Sequence, residues 1–162
     1  MKIVLPSLVI SAFLLVGMSC TTSKKTENKP SKEWTYSIME TGNMFGAGEE
    51  GLNEGVLSAK NMEEFNAVVQ QINSINKEIT DDLVATTDFF KESMLLFIFD
   101  KVRGSGGHTM EVINITHTSE ALVVSIKNTA PEGPASTVMT QPFVVLKTAK
   151  SSLPIQVKVI GL

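Results

Sequence analysis

Two histidines, one cysteine and a short acidic run are the residues of this chain best suited to nucleophilic, acid–base or metal chemistry. A serine or cysteine nucleophile needs a nearby base and a third group to orient that base. Ser105 stands three residues before His108 in the run Gly104-Ser105-Gly106-Gly107, which is not the G-x-S-x-G turn that exposes a hydrolase serine. His117 follows His108 by nine residues, and in a regular strand an odd separation sends two side chains to opposite faces, so the pair is not expected to chelate one ion. Glu49, Glu50, Asn53 and Glu54 offer oxygen ligands, but they miss the D-x-[DN]-x-[DN]-G spacing of a calcium loop and include no aspartate. A solvated acidic loop is expected there. The glycines at 104–107 lack the following Lys-Ser/Thr of a phosphate cradle and lead into a strand, so they serve a turn. Met39, Met44, Met62, Met94, Met110 and Met139 are scattered and read as core filler. No catalytic residue, metal or cofactor is expected.

Cys20 reads differently. Lys2, a mostly apolar run from Ile3 to Val16, and the small residues Gly17 and Ser19 precede it, which are the parts of an export signal ending in an acylated cysteine. The run is shorter than the roughly 20 apolar residues of a membrane-crossing helix. Gly17 stands where a lipobox usually has leucine. The same residues also fit an ordinary cleaved signal, or an uncleaved anchor with an incidental cysteine. The reading taken is a signal over residues 1–19, lipid attachment at Cys20, and a disordered tether over 20–33 that holds the domain at the periplasmic side or surface of a bacterial membrane.

The elements that must carry any binding site follow in residues 34–162, expected as one domain with no internal disulfide. The tether is basic, with Lys24, Lys25, Lys29 and Lys32 against Glu27 and Glu33, and leans toward anionic headgroups. Residues 34–162 hold 9 Lys and Arg against 15 Asp and Glu, a balance that disfavours nucleic acid as a partner. Asn61 caps an amphipathic helix in which Met62, Phe65, Val68, Val69, Ile72 and Ile75 recur on one face. The continuous apolar run 94–99 predicts a strand buried on both faces. Strands rich in Val, Ile and Thr are expected at 34–39, 109–117, 121–128, 137–147 and 155–160, with a glycine-rich acidic loop at 42–55. The expected fold is mainly β (α+β): an antiparallel β-meander or sandwich-like sheet packed with one principal α-helix.

Residues of about 88–159 resemble the C-terminal domain of the protease-complex subunit PrcB family. The resemblance lies in Phe90-Lys91-Glu92 leading into an apolar strand, the turn Ser105-Gly106-Gly107-His108, a proline-rich loop and the step Gln141-Pro142. Ser105 and His108 replace the Thr and Tyr of the family's turn, so no role of that aromatic carries over. The resemblance implies an accessory or stabilising role in the cell envelope, with a protease among the partners, and supplies no catalytic residue. A small-ligand or peptide-binding lipoprotein is the alternative. In a meander the 104–107 and 131–134 loops fall at the same end, which makes Arg103, Gly106, Gly107, His108, Glu132 and Ser136 the candidate partner contacts.

Overall fold

The computed structural model describes residues 32–161 apart from 78, 84, 86 and 87, so Cys20, the expected signal and most of the expected tether lie outside the described residues. In chain order the elements are β1 (Lys32–Glu33), β2 (Tyr36–Met44), β3 (Gly55–Ala59), α1 (Met62–Asn73), α2 (Phe89–Glu92), β4 (Ser93–Phe99), β5 (Thr109–His117), β6 (Leu122–Thr129), β7 (Gln141–Ala149) and β8 (Ile155–Val159). They form two four-stranded sheets, ordered β1-β5-β6-β8 and β2-β7-β4-β3. The fold is mainly β with one principal helix, as expected.

The apolar run of β4 is buried from Met94 to Phe99 because both of its faces are covered. Leu95, Phe97 and Phe99 point toward the helices and pack with Phe65, Val68 and Ile72 of α1 and Phe90 of α2. Met94, Leu96 and Ile98 point the other way and pack with Met110, Val112, Ile115, Leu122, Val124 and Ile126 of the second sheet. The molecule is therefore three layers deep, helix on sheet on sheet. Within α1, the Asn61 side chain accepts the Glu64 N–H at 2.9 Å and the Glu64 carboxylate accepts the Lys60 N–H at 2.7 Å, a reciprocal cap of the first turn.

The meander expected of the second half does not form. β4 pairs with β7 and β3, the β5–β6 hairpin lies in the other sheet, and β8 runs parallel to β6. Burial explains the sorting. β4 and β7 are apolar on both faces and share the middle layer, whereas β5 and β6 alternate and need cover on one face only. Other boundaries move too. Lys32 and Glu33 pair with His117 and Thr116, so the last two residues of the expected tether belong to a strand. β2 runs on to Met44, with a register shift between Ile38 and Glu40. Ile75, expected on the core face of the helix, lies beyond its end at Asn73 and is exposed. Among the methionines, Met44, Met94 and Met110 are core, while Met39 and Met139 reach the surface.

Candidate functional site

The loops expected to meet do meet, by another route. The β4–β5 and β6–β7 connections each cross between the sheets at one end of the sandwich. There the Gly106 N–H donates to Ser136 O at 3.1 Å, and Arg103 and Thr140 exchange backbone hydrogen bonds of 2.7 and 3.1 Å. The Thr140 hydroxyl donates to Ser105 O at 2.9 Å. Gly106 is buried, and a Cβ there would meet only the hydroxyl of the exposed Ser136, whereas Gly107, at φ +80°, leaves a Cβ only 2.9 Å from that of Pro131. Gly107 thus has both a conformational and a steric reason to be glycine.

The candidate contact residues do not form a single cluster of side chains. The Arg103 guanidinium turns away to Asp100, its Nε donating at 2.7 Å to Oδ2. His108 Nε2 lies 3.2 Å from Ser105 Oγ. Glu132 and Ser136 are exposed, and Glu132 makes no ion pair among the described residues. The Ser105–His108 pair has the first link of a nucleophile–base chain, but the neighbouring Gly106 N–H is held by Ser136, and no carboxylate ion pair orients the imidazole among the described residues. Its evident effect is to hold the turn closed.

Residues 132–139 are exposed without interruption, and they include Val138 at 49% and Met139 at 45%. The sequence had placed this stretch partly in a strand from 137; β7 begins only at Gln141 because Thr140 is bridged to Arg103 outside the ladder. A run of exposed residues held at its base by four hydrogen bonds to the neighbouring loop suits contact with another molecule.

Behind the loops lies a cleft of about 450 Å³, bordered by Glu54, Asp100, Lys101, Arg103, Asn128 and Val159. Asp100 is only 2% exposed. Its carboxylate also accepts the Asn128 side-chain amide at 3.1 Å, which ties β6 of one sheet to the end of β4 in the other. The Gln141 amide adds donations of 2.9 Å to Leu52 O and 2.8 Å to Asp100 O. Sequence reasoning missed this network, whose only outward sign is an aspartate ending an apolar run.

The acidic loop also differs from expectation. Glu50 is buried, accepting the Gly46 N–H at 3.0 Å and the Asn76 side-chain amide, while Asn76 Oδ1 accepts the Phe45 N–H at 2.7 Å. This carboxylate organises its own loop. Among the described residues no three His, Cys, Asp or Glu side chains are grouped to hold a metal. His117 stands at the opposite end of β5 from His108 and stacks on Trp34, with ring centroids 4.9 Å apart.

These features define a class: a two-sheet β sandwich with a helical layer on one outer face, and a braced loop cluster beside a polar cleft at one end. No family model matches the chain, and no curated protein or solved structure matches it either.

Proposed function

We propose that this chain is a non-catalytic envelope protein, anchored through a lipid on Cys20, that acts as an accessory or stabilising subunit for a partner protein; the PrcB resemblance makes a protease the first partner class to test. The observation that supports this reading is the loop of residues 132–139, which presents Val138 and Met139 to solvent from a base fixed by backbone bonds. Apolar side chains on a rigid, exposed loop are typical anchors of an interface. The test is a cross-linked pull-down from native envelopes with the intact protein, Cys20→Ala, Val138→Asp and Met139→Asp. One envelope protein should be retained stoichiometrically by the wild type, with at least a tenfold loss in the two loop variants at unchanged melting temperature. Equal capture by wild type and both loop variants would remove the loop from the interface.

A second reading, a small-ligand or peptide-binding lipoprotein, is favoured by a separate observation: the cleft of about 450 Å³ beside Asp100.

A further inference from the structure

The cleft beside Asp100 opens between the ends of the two sheets. β3 and β4 pair as far as Gly55↔Phe99, so Glu54 stands one step beyond that pair, beside Asp100 on the same wall. Lys101 borders this wall too, while Val159 and Gly161, at and just past the end of β8, belong to the facing sheet. The floor is built from inside the fold. Asp100, 2% exposed, takes Nε and Nη2 of Arg103 on Oδ2 and the Asn128 amide on Oδ1, so that carboxylate has already met its donors. Arg103, with its side chain 21% exposed, keeps its Nη1 donors unspent among the described residues.

Two opposite charges at the mouth are left over. Lys101 and Glu54 are both exposed, both line this one cleft, and neither is ion-paired among the described residues, with the other or with any third group. A ligand that carries the two complementary charges meets both at once. Lys101 and the spare Nη1 of Arg103 call for a carboxylate, and Glu54 calls for an ammonium. Val159, 47% exposed, offers an apolar side chain a surface out of water. Among the described residues no aromatic side chain borders the cleft, which leaves a nucleobase or a sugar ring nothing to stack on. A phosphate dianion would meet Glu54 as well as the two cations, and is disfavoured for that reason.

We infer that this cleft binds a small zwitterion of the amino-acid or dipeptide class with an apolar side chain. Its carboxylate sits between Lys101 and Arg103, its ammonium on Glu54 and its side chain against Val159. The cleft volume, about 450 Å³, lies within the range of small-molecule sites, roughly 300–1,000 Å³. This inference rests on the second reading above, to which it gives a ligand class, and is independent of the loop at 132–139.

The experiment titrates the isotope-labelled full-length chain while the amide signals of Lys101, Asn128 and Val159 are followed by nuclear magnetic resonance. The probes are leucine and leucylleucine, which carry both charges, isocaproate, which keeps the carboxylate alone, isoamylamine, which keeps the ammonium alone, and inorganic phosphate. Leucine or leucylleucine should shift these signals and bind about fivefold or more tightly than either singly charged analogue, the worth of one exposed ion pair. Glu54→Gln should bring the zwitterion down toward the affinity of isocaproate, and Lys101→Met toward that of isoamylamine, both at unchanged melting temperature. Both are surface changes that leave the Asp100–Arg103 pair intact. Met139→Asp should leave every affinity as it is, which separates this site from the loop interface. Isocaproate or phosphate binding as tightly as the zwitterions would overturn the inference and leave the second reading standing with an anion as ligand. Unaltered zwitterion affinity in either cleft variant would also overturn it. Signals that none of the probes shifts would overturn it and withdraw the cleft as support for the second reading.

Discussion

Replacing Arg103 by alanine removes two of the three donors of a carboxylate that is 2% exposed, and leaves Asp100 with one neutral amide, from Asn128 at 3.1 Å. Breaking a buried ion pair from one side costs about 3–5 kcal/mol. The cleft beside Asp100 admits water to part of the site, which sets the expected loss near the lower figure, about 3 kcal/mol. Against a total stability of about 5–15 kcal/mol this is a large fraction. With a urea slope of about 1–3 kcal/mol per molar, the midpoint should fall by roughly 1–3 M. Trp34 is the sole tryptophan and stacks on His117 at the other end of β5, so its fluorescence follows the sandwich as a whole rather than the altered corner. A double-mutant cycle with Asp100→Asn should give a coupling of about 2 kcal/mol, the double variant being less damaged than the two singles summed. A loss below about 1 kcal/mol for Arg103→Ala, the range of exposed ion pairs, would refute the reasoning and show the carboxylate to be solvated. It follows that Arg103→Ala is a poor probe of partner binding, because its effects begin inside the fold.

Gly107→Ala should cost about 1–3 kcal/mol through its left-handed φ and the approach to Pro131, and more than Gly133→Ala, which has a similar φ of +90° but open space; chemical denaturation of the two compares them. Glu50→Ala should lose about 1–3 kcal/mol by stranding the Gly46 N–H and the Asn76 amide, whereas Glu50→Gln keeps an acceptor and loses less, as thermal melts of both will read. Asn61→Ala should lower stability by about 1 kcal/mol through the lost cap of α1, with helical circular dichroism the direct check.

The most legible elements were those whose local chemistry decides their structure. The run Met94 to Phe99 has no polar face, so it had to be covered twice, and the cap at Asn61 is complete within four residues. Sheet membership was less accessible, because alternation in β5 and β6 says that one face is buried but not which neighbour buries it. The two-sided burial of β7 was the available clue that it belonged beside β4, and reading it only as another β-rich stretch led to the meander. At the loop cluster, the 104–107 and 131–134 loops do share one end, as expected, but through sheet crossings and not the expected meander, and the direction of each side chain was not legible. Arg103 follows Asp100 by three residues, yet only burial of the aspartate turns that spacing into an internal pair. Glu50 shows the same limit: an acid among glycines looks solvated until the loop folds over it.

β2 and β7, partners from Tyr36↔Thr148 to Met44↔Gln141, stand at nearly opposite ends of the described chain. Such remote pairing makes for slow closure. At about 5–20 residues per second, a ribosome takes roughly 5–20 s to make the residues between them. Once β4, the most apolar strand in the molecule, has been made, it waits roughly 2–8 s of that interval with no β7 to cover its edge and is open to pairing between chains. The native sheet therefore cannot close before the last few tens of residues exist. The export expected from residues 1–19 would begin while the chain is still threadable, and a chain cut short before residue 141 should aggregate rather than fold.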